Sequence, residues 1–582
     1  MENGLSRRAF LGGAAFAGIA GMGALSACAP QRRGGESLSQ TSGGEAGIAG
    51  ASWRDAPAKI GDDEIAETRD CEVLVIGLGH AGCCAMKAAV EAGAKVCAMQ
   101  ETSEDALLFK GHSYGHINSE FLKSRGVPEV DVTEFFNDWQ VRSNNRSNPG
   151  LIMRYITHVG ETFDWLIEGL TDEEKQSIYI CYLMEGIPFK REFSGVKTWI
   201  GTARLTTELV EKMYRGIIDE AVAGGAEVLW ETKGCQLVAD EAGKVVGAIG
   251  LGPDGYVKVN ASKGVILTTG GFGSNEEMRE DLLYEIKESM GEQDQISCNL
   301  DCDGSGIQMG YWAGGRLDPC MGTMDGAYWY PTDSPIDPIG ATSSLWMNAD
   351  GKRYCNEGFG STELQAMPGA KQPDGVTCSV FDSNVEELIK AQAFGHMSYD
   401  YAEKGFDGLH ETMEKAYAGG EQGSADGDEA ENPAGADKAL MSPPTLYAAD
   451  DYETLGKYLG YAGQSLENFV ATIERYNELC EKGFDEDFGK DPSLLFPIKT
   501  PPFYGFAGTK ALGVLMVTVG GLLVDENGAV LGKDYRPIPG LFAAGNASGG
   551  RFGWQYSTSI GGESLTTANT LGRLTAEYVA SL

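Results

Sequence analysis

Basic residues are scarce. The 582-residue chain has 46 Lys and Arg against 84 Asp and Glu, a formal net charge of -38 with a pI near 4.5. With no basic stripe to neutralise phosphates, nucleic acid is excluded as a partner, and the acidity reads as a well-solvated surface. The 13 cysteines include no C-x-x-C pair. The chain therefore offers no metal framework and no C-x-x-C-H attachment site for a c-type haem. Cys83/Cys84 and Cys298/Cys302 read as small apolar packing residues. Gly12 to Ala27, a weakly apolar stretch, is too short and too rich in glycine to span a membrane.

The most informative stretch is Val73 to Gly82, V-L-V-I-G-L-G-H-A-G. A short apolar run of strand type breaks at Gly77, and the spacing Gly77, Gly79, Gly82 is the dinucleotide-binding fingerprint of a strand-to-helix turn. Gly77 allows the tight turn, Gly79 lets a pyrophosphate approach the backbone, and Gly82 lets the next helix, near Cys83 to Ala92, pack on the strand. A second strand, Ala94 to Met99, follows Gly93 and ends at Gln100 and Glu101, either of which can stand at a ribose. A turn-rich loop, Lys110 to Ser119, comes where a nicotinamide fold would continue its sheet. Much later an apolar strand from Lys263 ends in the glycines of Thr269-Gly270-Gly271. The length suggests material for about three or four domains.

The N-terminus reads as an address. Ser6-Arg7-Arg8-Ala9-Phe10-Leu11 resembles the twin-arginine export motif, and Leu25-Ser26-Ala27-Cys28 resembles a lipoprotein box with Cys28 as the lipidated mature N-terminus. Residues 29–69, rich in Gly, Ser, Ala and charge, are expected to form a flexible tether to the outer face of the cytoplasmic membrane.

From about Asp70 to Leu582 the chain resembles the FAD-dependent fumarate reductase and succinate dehydrogenase flavoproteins. The resemblance is carried by the glycine fingerprint, Met347 to Glu357 (similar to N-x-D-G-x-R-F-x-x-E), Glu474-Arg475-Tyr476-Asn477, Pro501-Pro502-Phe503-Tyr504 and Ile538 to Asn546. It implies an α/β fold: a two-piece Rossmann-like FAD-binding domain, residues 70–311 and 497–582, with an inserted α+β capping domain at 312–496. The acidic run Gly419 to Asp437 is expected as an exposed loop of the cap. Carried over by position, Gly77, Gly79 and Gly82 hold the pyrophosphate. Gln100 or Glu101 meets the ribose, and Ser113, Thr269, Gly270 and Gly271 line the crevice. Ser564 and Leu565 offer backbone donors to the pyrimidine edge. Gly304-Ser305-Gly306 stands where the family writes G-D-G, and Gly545-Asn546 where it has Gly-Glu beside the ribityl chain. Both changes remove negative charge near the flavin, which favours its anionic reduced form and a higher potential. His112 is too close to Gly115 for the attachment motif of some relatives, so the FAD is expected to be held non-covalently.

The catalytic positions depart from the pattern. Ser361 follows Asn356-Glu357 where a proton-donating arginine belongs. An apolar residue replaces the histidine before Thr518-Val519-Gly520-Gly521. Tyr556 replaces the arginine that clamps a substrate carboxylate. A dicarboxylate thus loses its bidentate partners, and fumarate is not expected as substrate. The tyrosine loop resembles that of 3-ketosteroid dehydrogenases and enone reductases. Tyr556 would polarise a carbonyl and stabilise an enolate, with Gly561 beside it, while Tyr114, His116 or Tyr330 protonates the α-carbon. Arg551 keeps a single substrate carboxylate open. The expected activity is reduction of a carbon-carbon double bond conjugated to a carbonyl or carboxylate. Electrons would come from a separate quinol-linked cytochrome or flavin carrier. The alternatives are oxidation of a 3-ketosteroid-type substrate, or a surface flavoprotein without catalysis.

Overall fold

Val73 to Ile76 are buried on both faces, as a central parallel strand requires. They end strand β1, Ile65–Ile76. The computed structural model describes residues 52–582 except 194, 284–300, 327–341, 359–367, 393–400, 423–444, 507, 511–513 and 555. The expected export signal with Cys28, most of the tether, Cys298, Tyr330, Ser361 and most of the acidic run of the cap lie outside the described residues. Of the unit that ends at Asp55, the described part is a turn closed by the Asp55 N–H on the Ser52 carbonyl (2.8 Å). Everything below concerns the unit Ala56–Leu582.

The main sheet starts inside the stretch expected as tether. β1 begins at Ile65 rather than after Arg69, because Glu67 to Cys71 already pair in register with Val257 to Ala261. After the glycine turn comes α1, His80–Glu91, whose alanines and cysteines are almost all buried and allow close approach to its neighbours. Cys83 and Cys84 pack there as expected, but Cys302 is exposed, since it belongs to a turn and not to a core element. The chain continues through β2 (Val96–Met99), β3 (Ser113–Gly115), α2 (Val132–Arg142), α3 (Pro149–Leu166), β4 (Thr202–Arg204), α4 (Thr207–Ala223), β5 (Glu227–Leu229), β6 (Lys233–Ala239), β7 (Val245–Gly252), β8 (Gly255–Leu267) and α5 (Ser305–Trp312). Strand β9, Thr323–Gly326, leads into the insertion.

The cap holds β10 (Leu345–Asn348), β11 (Val376–Asp382), α6 (Val385–Ala391), β12 (Leu446–Ala449), α7 (Gln464–Lys482) and β13 (Phe503–Phe506). Its antiparallel sheet runs β10-β11-β13-β12. The cap therefore extends past residue 496, the expected boundary, since β13 pairs with both β11 and β12. The family-like Met347 to Glu357 stretch is structural here. Asn348 Oδ1 closes a turn on the N–H groups of Asp350 and Lys352 (3.0 and 3.1 Å). Arg353 holds Glu357 (2.9 Å) and Asp485 (2.8 Å), both buried.

The last piece returns to the first. β14 (Val514–Thr518) pairs with β9. β15 (Ala529–Leu531) and β16 (Pro537–Ala543) then complete the main sheet in the order β15-β16-β8-β1-β2-β5, with β7 and β6 appended to β8. The β16-β8, β8-β1, β1-β2 and β2-β5 pairings are parallel. The final helix, α8 (Glu563–Ser581), lies on α1 so closely that a β-carbon on Gly572 would meet the Ala81 carbonyl at 2.4 Å. This is the two-piece α/β flavoprotein architecture expected from the sequence, with the carboxyl ends of β1 and β8 opening on one crevice.

Candidate cofactor and active site

Two of the fingerprint glycines answer steric demands and the third leaves space open. Gly77 has φ +93°, and a β-carbon there would lie 2.8 Å from the Thr268 carbonyl. One on Gly82 would lie 1.8 Å from the Gly77 carbonyl, whereas Gly79 faces open space. Helix α1 thus starts at a glycine with no side-chain cap, its N–H groups left for an anion. Gly82→Ala is expected to leave the purified protein without bound flavin, seen as loss of its visible absorbance, because the clash is with backbone that cannot swing away.

Gln100 steadies this turn. Its Oε1 accepts the Leu78 N–H (2.8 Å) and its Nε2 donates to Thr102 Oγ1 (2.9 Å). An amide, acceptor and donor at once, suits those two partners. Glu101 points outward and pairs with Lys233 (3.3 Å), which also holds Asp303. Across the crevice the Thr269 hydroxyl is buried with no hydrogen-bond partner among the described residues, and Gly306 needs its hydrogen because a β-carbon would reach Thr269 Oγ1 at 2.0 Å. Gly270 and Gly304 hold positive φ (+78° and +74°). Gly304 opens α5, again without a side-chain cap.

Sequence reasoning missed Asp301. Its carboxylate accepts the N–H groups of Gly271 (3.1 Å) and Gly273 (2.8 Å) and both the N–H and the hydroxyl of Thr518 (2.7 Å each). It binds the end of β8 to the end of β14, and burial raises its pKa. The only sequence signal was the Thr518-Val519-Gly520-Gly521 motif, whose threonine needs an acceptor.

The C-terminal loop 549–562 closes the other end. Gly545 (φ +67°) would place a β-carbon 3.0 Å from Ala81 Cβ, which brings the following Asn546 beside α1. Asn546 Oδ1 accepts from Arg551 (2.9 Å). The loop is clamped from outside by α2. Asp138 pairs with Arg142 (2.6 Å) and accepts the Ser559 hydroxyl (2.6 Å), while the Trp139 indole N–H donates to the Arg551 carbonyl (2.8 Å). Tyr556 is fully buried against the edge of Phe552. Its Oη accepts the Ser564 N–H at 3.0 Å, in the first turn of α8.

Several expected site residues are placed otherwise. The Ser564 N–H meets Tyr556 rather than standing clear for a pyrimidine edge. The Gly561 carbonyl is taken by the Thr202 hydroxyl (2.8 Å). The backbone of Ser113 and Gly115 packs on Gly561 to Glu563 so closely that a β-carbon on Gly115 would lie 2.5 Å from the Gly561 carbonyl. Side chains alternate along a strand, so Tyr114 points the other way, into the core near Phe163. It is no acid for a substrate. Neither is His116. Its Nδ1 sits 2.9 Å from the Tyr114 carbonyl and its Nε2 2.8 Å from the Ser119 hydroxyl, the ring stacks on Phe163, and burial lowers its pKa to about 4. Next to a carbonyl Nδ1 must carry the proton, so the ring is neutral and satisfied.

Glu563, the first residue of α8, was not foreseen. It is fully buried and neither carboxyl oxygen makes a well-formed hydrogen bond among the described residues. Desolvation first, then the Asp138 charge, pushes its pKa well above the carboxylate range against the pull of Arg142 and of the nearby Ser559 and Ile560 N–H groups.

The uncapped starts of α1 and α5, the unpartnered Thr269 hydroxyl and the open face of Gly79 together fit a dinucleotide laid along the crevice. A family model described as FAD binding domain matches residues 72–564. The chain belongs to this family. The flavoprotein is 25% identical over 536 residues to a vinyl phenol reductase of Lactiplantibacillus plantarum, covering 88% of this chain and 96% of that one. It is 25% identical over 525 residues to a fumarate reductase (cytochrome) of Shewanella frigidimarina, covering 88% and 77%. Among solved structures it shares its fold with a 3-ketosteroid-delta4-(5alpha)-dehydrogenase from Rhodococcus jostii RHA1 at TM-score 0.61 and 19% identity, covering 89% of this chain and 99% of that one. It is an FAD-dependent oxidoreductase of a family that acts on carbon-carbon double bonds.

Proposed function

We propose that this flavoprotein is an exported, lipid-anchored reductase of a carbon-carbon double bond conjugated to a carbonyl or carboxylate, with fumarate excluded. The observation that carries this is the Tyr556 hydroxyl held at 3.0 Å by the Ser564 N–H, at the start of α8, where the family pattern has a carboxylate-clamping arginine. A phenol that accepts there keeps its proton as a donor. When bound, FAD supplies the two electrons that reduce the β-carbon. Tyr556 donates to the carbonyl oxygen as charge builds on it, and the positive end of the α8 dipole with the Ser564 N–H stabilises the phenol oxygen in turn. Phe552 and the buried loop exclude water around it. With Tyr114 and His116 in the interior, Tyr330 is the remaining sequence candidate for the acid at the α-carbon.

The twin-arginine and lipoprotein motifs support a place outside the cytoplasmic membrane, where nicotinamide is absent. Electrons then come from a quinol-linked cytochrome or flavin carrier, and the substrate serves as a respiratory acceptor. The test is anaerobic: the holoenzyme is reduced with viologen and offered enones, enoates and ketosteroids. Reoxidation of the flavin by an enone or a monocarboxylic enoate is expected, and none by fumarate. Turnover only with an added oxidant and a saturated ketone would overturn the reductive reading.

A further inference from the structure

Arg551 is a fully buried guanidinium whose hydrogen-bond partners among the described residues are all neutral. Its Nη2 donates to Asn546 Oδ1 (2.9 Å) and lies 3.4 Å from the Val519 carbonyl. Its Nη1 lies 3.4 Å from Thr567 Oγ1, and its Nε has no hydrogen-bond partner. Other buried arginines are compensated. Arg142 pairs with Asp138, Arg353 pairs with Glu357 and Asp485, and Arg191 meets the carbonyls of Lys390 and Gln392 at the negative end of α6. Among the described residues no carboxylate reaches ion-pair distance of Arg551. Asp318, the acid that faces it, is spent on the N–H groups of Cys320 and Gly550. Burial lowers the arginine's pKa to about 10, still far above neutrality, so the charge stays. An isolated buried charge is costly unless an opposite charge is supplied.

Placement indicates where that opposite charge comes from. Asn546 follows the Gly545 turn against α1, Val519 precedes Gly520-Gly521, and Thr567 is one turn along α8 from Ser564. These three segments line the end of the cofactor crevice nearest Tyr556. Asn546 stands where the family pattern has a glutamate, so the position that would have neutralised a neighbouring arginine is itself neutral. We infer that Arg551 is the resident counter-charge for the anionic form of reduced FAD and sets the cofactor's redox poise, rather than gripping a substrate carboxylate. Uptake of two electrons from a reductant and one proton leaves the flavin ring with one added negative charge, at its N1 and C2 oxygen edge, and a fixed cation there lowers the cost of that charge.

Sulfite tests this without substrate. It bonds through sulfur to flavin N5, and the displaced electron pair leaves the same negative charge at the N1 edge. Sulfite dissociation constants are read from bleaching of the holoenzyme's flavin absorbance, and midpoint potentials from anaerobic dithionite titration against reference dyes. In Arg551→Met, sulfite affinity is expected to fall by about 30-fold or more, with the potential dropping about 30 mV per tenfold for the two-electron couple, and Arg551→Lys should retain most of both. If the methionine variant loses its FAD, Asn546→Asp keeps the arginine but gives it a carboxylate, and the same weakening is expected. Unchanged sulfite affinity and potential in Arg551→Met or in Asn546→Asp, with only KM for a carboxylated substrate altered in Arg551→Met, would overturn the inference. Neither measurement depends on which double bond the enzyme reduces.

Discussion

Tyr556→Phe is expected to lower kcat for the reducible substrate by about 100- to 1,000-fold, the usual loss when one donor to a developing oxyanion is removed. KM should change little, because the hydrogen bond strengthens only as charge appears on the substrate oxygen. The measurement is single-turnover reoxidation of prereduced holoenzyme, which separates the chemical step from binding. The variant also strips the Ser564 N–H of its 3.0 Å acceptor in a buried place, at a cost of about 1–3 kcal/mol. A modest fall in melting temperature should therefore accompany the kinetic loss, while the flavin spectrum stays. A variant that reoxidises at the parent rate would reduce Tyr556 to a packing residue that caps α8.

The glycine spacing at Gly77, Gly79 and Gly82 was legible because two steric demands and one open approach for a ligand fall within six residues of one chain segment, so local sequence carries them whole. The two-piece sheet was legible through the family resemblance carried by Ile538 to Asn546, the stretch that holds β16. What escaped depends on facing. Tyr114 and Ser113 are neighbours, yet a three-residue strand sends one to the core and the other toward α8, and no short run shows which face is which. His116 lies in the right loop, but the Tyr114 carbonyl and the Ser119 hydroxyl, both within three residues, take its two nitrogens. Asp301 and Glu563 escaped for the opposite reason. Their surroundings are assembled from segments more than 200 residues apart for Asp301 with Thr518, and more than 400 for Glu563 with α2. The cap boundary was misplaced because β13 reads locally as a Pro-flanked return to the flavin domain, while its pairing with β11 and β12 is decided at a distance.

Glu563→Gln should stabilise the protein increasingly as pH rises. The carboxyl is fully buried, its oxygens make no well-formed hydrogen bond among the described residues, and the groups that face it are the Ser559 and Ile560 N–H groups, which pull its pKa down only in part, Asp138 and Arg142 from α2, already paired at 2.6 Å, and the Tyr155 phenol from α3. Its folded pKa therefore lies well above that of an exposed glutamate, near 4.3 in an unfolded chain. Below that value both states hold the proton and the full stability is present. Above it the unfolded chain releases a proton that the folded chain keeps, so unfolding is favoured by about 1.4 kcal/mol for each pH unit until the folded pKa is reached. Glutamine cannot ionise and escapes that penalty. Wild type and variant should melt together near pH 4 and diverge above it, read as paired thermal melts of holoenzyme from pH 4 to 8. A difference that stays flat with pH would mean that Glu563 is ionised in the fold and has a counter-ion. The neutral form also has a consequence for the reaction. An ionised carboxylate in the first turn of α8 would absorb the positive end of the helix dipole, whereas a protonated one leaves that potential to the Tyr556 oxygen.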